Sequence, residues 1–247
     1  MTTDIASRPN SRVSFSGRRD ARSTQIISRV RDDLFEKRLK PGDFLGTEKD
    51  LAVRYGVSRI VARDALRSLA ALGIVEIRMG KGGGARIAPG NPRLFAEAMA
   101  VQLELAGVTA AEILDAQRAI ECLAAELAAE NATPADRARL RRLISDAEAA
   151  FGDDDAFTRV CAEFHLAVAE ASHNRALVVQ FLSLHHISWP SRNRTLTPKV
   201  AKRVLDVHKE IAALIEMRDA AGARQLMDDH VKMIRARRVA ERDRACC

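Results

Sequence analysis

Apolar residues return every three or four positions through most of this chain, the period of an α-helix that packs on one side. From Ser23 to Arg38 the recurring positions are Ile26, Ile27, Val30, Leu34 and Phe35, and Lys40-Pro41-Gly42 then stops the run with a turn. Thr47 is placed to cap a short helix through Arg54. Gly56 lets the chain turn, and Ser58 caps a longer helix to about Ala71. Gly73 suits the left-handed position that ends such a helix. Ile74-Val75-Glu76-Ile77 and Ala85-Arg86-Ile87 read as two strands around the glycine-rich stretch Met79 to Gly84. This order of elements is that of a winged helix-turn-helix.

Pro89-Gly90-Asn91-Pro92 marks a domain boundary. Beyond it the pattern predicts six or seven helices, near 92–105, 109–131, 134–150, 153–171, 174–190, 198–218 and 219–242, with Thr109, Thr133 and Asp153 as N-caps and no strand pattern. The fold class expected is mainly α: an N-terminal winged helix-turn-helix followed by an all-α antiparallel helical bundle. Residues 1–20 are polar and rich in Ser and Arg, and read as a disordered arm. The domains then run 21–90 and 91–240, with a frayed tail at 241–247.

Charge sharpens this picture. Residues 1–90 carry 18 Lys and Arg against 10 Asp and Glu, whereas the remaining residues carry 22 against 23, so all the positive excess lies in the first domain. A basic bias confined to one domain points to a polyanionic partner. Arg59, Arg63 and Arg67 stand four apart on the second helix of the motif, so three guanidinium groups share one face. Arginine suits both phosphate and guanine edges. Candidate DNA-binding residues are therefore Lys49, Ser58, Arg59, Arg63 and Arg67, with Arg78, Gly80 and Lys81 in the wing. The competing reading is a solvated amphipathic helix; turn, wing and local charge together favour DNA.

No apolar run approaches the roughly 20 residues that span a bilayer. The N-terminus lacks an apolar signal core. Cys122, Cys161, Cys246 and Cys247 show no disulfide spacing, which fits a reducing, cytoplasmic setting.

The segment from Pro41 to Gly83 resembles the winged helix-turn-helix of the GntR family of bacterial transcription regulators. The resemblance rests on Pro41-Gly42, Glu48, Leu51-Ala52, Gly56-Val57-Ser58-Arg59, Arg63, Ala65-Leu66, Leu69 and Gly80. It implies base or phosphate contacts for Lys49, Arg59 and Arg63, and a minor-groove approach for Met79-Gly80-Lys81. Two positions depart from the pattern: Gly46 stands where the family usually has proline, and Ala62 where it has valine.

The helical half resembles the FadR-type effector domain called FCD. The matching pieces are Arg118-Ala119-Ile120-Glu121, Ala124-Ala125, Ala128-Ala129, Phe164-His165 and Ala171-Ser172-His173-Asn174, followed by His208 and His230. The resemblance implies a small carboxylate metabolite as effector, bound through a metal held by three histidines and an acidic or amide residue four before the first. That position is Cys161 here. Either the thiolate ligates, giving with His165, His208 and His230 a tetrahedral set suited to zinc (nickel or manganese being alternatives), or it is a small buried residue. Arg118 is the candidate clamp for the effector carboxylate, with Asp115 one turn earlier to orient it or to sit near the metal, unless the two make a structural ion pair.

The expectation is a DNA-binding transcription regulator, a repressor acting as a homodimer on a pseudo-palindromic double-stranded operator, with affinity set by a small organic acid, no enzyme activity and no membrane partner. Two rivals are a metal-dependent hydrolase with a basic accessory domain and a regulator that senses the metal itself. Against the hydrolase, no nucleophile motif is present, and Glu163 points away from His165 on a helix.

Overall fold

The computed structural model describes residues 13–80, 82–188 and 197–245, so Lys81, Cys246 and Cys247 fall outside the described residues. The chain divides into two compact units, one ending at Asn91 and the other beginning at Pro92.

In the first unit, helix α1 (Val13–Phe35) buries Ile26 and Val30 against α3 (Arg59–Ala71), which presents Val61, Ala62, Ala65, Leu66 and Leu69. Between them lies α2 (Glu48–Tyr55). Its first turn is closed by a capping box: the Thr47 amide donates to Asp50 Oδ2 at 2.8 Å, and the Asp50 amide to Thr47 Oγ1 at 3.2 Å. Gly56 caps its end with φ 61°. At the end of α3, Gly73 takes φ 68° and the Ile74 amide donates back to the Leu69 carbonyl at 2.9 Å, a Schellman closure.

The hairpin of β2 (Val75–Arg78) and β3 (Gly84–Ile87) pairs Val75 with Ile87 and Arg78 with Gly84. A third strand, β1 (Phe44–Gly46), adds to the other edge of β3, giving the order β1-β3-β2. Periodicity did not disclose β1, because three residues are too few to establish alternation. Two further expectations are corrected. The polar stretch 1–20 reads as a disordered arm, yet Val13 to Asp20 belongs to α1. A helix nucleated on the buried Ile26 and Val30 extends outward through a stretch of polar sequence, since propagation needs only backbone bonds. The tail from residue 241 is likewise helical as far as Ala245.

The second unit holds seven helices among the described residues: α4 (Pro92–Leu105), α5 (Ala110–Asn131), α6 (Pro134–Ala149), α7 (Asp154–Ala171), α8 (Arg175–Ser188), α9 (Pro198–Glu216) and α10 (Ala220–Ala245). Thr109 and Thr133 form capping boxes with Glu112 and Asp136, and Asp153 caps α7. Helix α5 is central, packing on α7, α8, α9 and α10. Its inward face is lined by Ala124, Ala125, Ala128 and Ala129, whose small side chains let neighbouring backbones come close. Phe164, Val168, Ile211, Ile215, Met227 and Val231 fill the layer around them.

Gly46 shows why the first unit departs from its family pattern. It takes φ +128°, a region closed to proline, and a Cβ there would meet Asp50 Cβ at 3.0 Å and Leu51 Cδ1 at 3.1 Å. The start of α2 is fixed by the Thr47 capping box instead of by a proline ring. Gly46→Ala is therefore expected to destabilise this unit by about 1–3 kcal/mol. Tyr55, the single tyrosine, reports on this unit in urea denaturation, and an unchanged midpoint for its signal would contradict the strain.

Candidate functional site

Arg59, Arg63 and Arg67 all lie exposed on α3, and consecutive members are about 6 Å apart along the axis. Val61, Ala62, Ala65, Leu66 and Leu69 turn the opposite face of the helix into the core, so the arginines have no choice of direction. Lys49 is exposed in the first turn of α2. Among the described residues, none of these four cations forms an ion pair or a side-chain hydrogen bond. Ser58 does, as the N-cap of α3: its Oγ accepts from the Val61 amide at 3.3 Å. In the wing, exposed Arg78 lies 3.9 Å from Glu76, and Gly80 takes φ +93°. Arg86 is occupied, donating to the Gly42 carbonyl at 3.2 Å and lying over the Phe44 ring.

In the second unit, α7, α9 and α10 each bring one histidine to a common point. Nε2 of His208 lies 3.2 Å from that of His165 and 3.1 Å from that of His230, and the last two are 3.3 Å apart. The residues are 7%, 1% and 2% exposed for His165, His208 and His230. Phe164 stacks on the His208 ring at 4.4 Å and seals one side. Burial, with the neighbouring His165 and His230, pushes the His208 pKa well below its ordinary value. His230 is held at about 3, by burial first and then by His165 and Arg237. Both rings are therefore neutral, the form that ligates a metal.

The arrangement fits an ion. Nitrogens at 2.0–2.1 Å from a tetrahedral centre stand about 3.3–3.4 Å from one another, close to the spacings seen. Three imidazoles leave at least one position for an outside ligand, such as a carboxylate oxygen.

Cys161 does not join them. Its Sγ lies outside the cluster of potential ligand atoms formed by the three histidines. It packs instead against Ala147, Phe157, Ala201, Val204 and Leu205, and burial pushes its thiol up to about 12. Residues four apart share a helix face, but the thiol stops at Sγ and lacks the reach of an imidazole. Its place in this structure is the one that the small-buried-residue alternative describes.

Arg118 and Asp115 are not shown paired with each other; each faces a partner on α10. Arg118 binds Asp228 of α10, which holds that carboxyl down at about 2; Asp115 binds Arg235 at 2.7 Å. Both line a cavity of about 630 Å³ between α5 and α10, with Cys122, Glu126 and Arg224. This face of α5 is distinct from the one carrying Gln117 and Glu121, which are buried. Sequence reasoning missed Glu121, whose Oε2 contacts Nδ1 of His165. The available signal was its register: it follows Leu114 and Gln117 and precedes Ala124, Ala125 and Ala128 on a core face, where an unpaired carboxylate does not survive.

The family model for bacterial regulatory proteins of the gntR family matches residues 22–84, and that for the FCD domain matches residues 112–233. The regulatory protein assigned to the L-lactate dehydrogenase operon of Escherichia coli (strain K12) is 32% identical over 222 residues, covering 86% of this chain and 84% of the relative. The chain belongs to the GntR family. The Uxu operon transcriptional regulator of Escherichia coli (strain K12) is 28% identical over 221 residues, covering 86% and 85% of the two chains. Among solved structures, Streptococcus agalactiae GntR superposes with a TM-score of 0.60 at 25% identity, covering 87% of this chain and 99% of that one.

This GntR-family protein is thus a DNA-binding transcription regulator with an FCD effector domain, acting on double-stranded operators. Its relatives are regulators rather than enzymes, and the hydrolase reading finds no support. Among the described residues no helix is long and apolar enough to cross a membrane. The family match encloses the arginine face in one domain and all three histidines in the other. Cys161→Ala is expected to leave metal stoichiometry unchanged in elemental analysis; loss of the metal would restore the thiol as a ligand.

Proposed function

We propose that the protein is a homodimeric repressor that releases its operator when a small carboxylate binds at a divalent metal held by His165, His208 and His230. The convergence of three buried Nε2 atoms carries this reading. Zinc suits a tetrahedral set of nitrogen ligands, with nickel or manganese as alternatives. The bound ion supplies a Lewis-acidic position for a carboxylate oxygen, and the three rings hold it in place with their neutral lone pairs. That the 32%-identical relative is assigned to an operon named for L-lactate dehydrogenase favours a small hydroxy acid over a larger effector.

At the DNA, Arg59 and Arg63 enter the major groove from the N-terminal half of α3, while Lys49 and Arg67 engage phosphates and the wing carrying Arg78, Gly80 and Lys81 follows the minor groove. Ser58 fixes the start of that helix. Two copies reading two half-sites fit a two-fold operator. Regulation then requires the carboxylate to bind the operator-competent and operator-incompetent states unequally, a coupling of about 1–3 kcal/mol in typical cases. A sensor of the metal alone predicts no response to organic acids.

On an operator selected from random duplexes, Arg63→Ala is expected to weaken binding by about 1–3 kcal/mol if it reads a base. A gel-shift titration showing wild-type affinity would overturn that role. In thermal shift, a carboxylate at 100 times its dissociation constant should stabilise the metal-loaded protein by about 2.7 kcal/mol, and His165→Ala should abolish both that shift and stoichiometric metal. A variant that keeps its metal would refute the histidine centre.

A further inference from the structure

Glu121 occupies a place that elementary electrostatics makes expensive for a carboxylate. It is 3% exposed and lies on the same face of α5 as Ala124, Ala125 and Ala128. A buried carboxylate persists where it has a hydrogen-bonding partner, and here the partner is Nδ1 of His165, reached by Glu121 Oε2. The other nitrogen of that same ring, Nε2, is the atom 3.2 Å from His208 Nε2 and 3.3 Å from His230 Nε2.

A neutral imidazole carries one proton and one lone pair, shared between its two nitrogens. A carboxylate only accepts, so the hydrogen bond to Glu121 puts the proton on Nδ1. The lone pair is then left on Nε2, facing the other two rings. Because Nδ1 and Nε2 point out of opposite sides of the ring, an oxygen bonded to the first cannot also touch an ion on the second. Glu121 therefore works through His165. His230 provides the contrast: its Nδ1 is buried with no hydrogen-bond partner among the described residues, so no acceptor sets its tautomer.

We propose that Glu121 is the positioning residue of the histidine centre, fixing His165 as the Nδ1–H tautomer and aiming its Nε2 lone pair at the point shared with His208 and His230. The inference rests on the metal reading above and deepens it. A carboxylate behind a ligating histidine raises the basicity of that ligand and locks its ring rotation. It also explains why α5, which contributes no ligand, presents an acid to the core beside an otherwise alanine-rich surface. The resemblance places an acidic or amide residue at the position of Cys161, and the thiol there lies in an apolar cluster apart from the rings. The carboxylate that touches this centre comes from a different helix.

The test compares the wild-type protein with Glu121→Ala and Glu121→Gln in two measurements. In long-range proton–nitrogen NMR of the metal-free proteins, His165 should be the Nδ1–H tautomer in the wild type and a mixture of tautomers in Glu121→Ala. Glu121→Gln should keep the tautomer, because its amide carbonyl still accepts. In Zn²⁺ titrations against a chelating chromophore, Glu121→Ala should bind about 10–100-fold more weakly at unchanged stoichiometry, with a smaller loss in Glu121→Gln. A residue that served only the packing of α5 would leave the tautomer alone. Wild-type Zn²⁺ affinity in both variants, or an Nδ1–H tautomer that survives in Glu121→Ala, overturns the proposal while leaving the metal site standing. Should the alanine variant fail to fold, Glu121→Met, which fills the space without offering a comparable acceptor, takes its place, and wild-type Zn²⁺ affinity there overturns the proposal equally. A wild-type protein that takes up no Zn²⁺ removes the metal reading, and this inference with it.

Discussion

Four polar groups meet in the middle of an apolar helical layer, and the arrangement of the second domain depends on their satisfying one another. His165, His208, His230 and Glu121 come from α7, α9, α10 and α5, one from each. Transferring such groups from water is costly unless each finds a partner of good geometry, so sliding any of the four helices by a turn would strand a ring or a carboxylate in a dry core. Apolar packing by Phe164, Ile211, Ile215 and Met227 supplies cohesion without direction; the polar cluster supplies the register. The alanines of α5 belong to the same requirement, because bulkier residues would hold α7 and α10 too far away for the side chains to meet.

The arginines of α3 stand apart from those elsewhere in the chain, for even in the first domain Arg38 and Arg78 lie beside carboxylates. In the helical domain Arg118, Arg137, Arg139, Arg141 and Arg224 each face a carboxylate. On α3 the three arginines have none among the described residues. Exposed ion pairs contribute only about 0–1 kcal/mol, so this difference is not one of stability. It is one of field: paired cations cancel locally, whereas a row of unpaired ones along a helix front projects a potential that attracts a polyanion. Part of the positive excess of residues 1–90 thus acquires a location and a direction, and the family match says that such regulators bind operator DNA.

Most of the architecture was readable before any coordinates, because strong caps and long periodic faces specify helices. Thr47, Thr109 and Thr133 each lead a capping box, and Gly56 and Gly73 each take the left-handed conformation their positions call for. What stayed hidden has a common cause. Apolar periodicity reports burial, so it is silent on the polar outer turns of α1 and on a strand as short as β1. The histidines were legible from their types and spacing. Spacing left two alternatives open at Cys161, because a shared helix face is not a shared point and side-chain length decides which of two residues reaches a centre. Arg118 and Glu121 illustrate the same limit: three positions apart on α5, they face a surface cavity and the buried rings respectively.

The separation of Cys161 from the histidines bears on how ligand and metal would influence one another. Cys161 lies outside the cluster of ligand atoms and Glu121 is turned to the far nitrogen of His165, so on the metal reading the protein offers an ion three imidazole nitrogens and no directly bound negative charge. In a buried site of low polarity, an uncompensated dication favours an anionic fourth ligand far more than it would in water. On the metal reading, the carboxylate of an effector meets that need, and the dependence runs both ways, since whatever the ion adds to effector affinity the effector must add to retention of the ion. A first shell containing a protein carboxylate would satisfy the ion on its own and weaken this linkage. On that reading, the cysteine at position 161 would tie occupancy of the site to the metabolite more closely than the family pattern does.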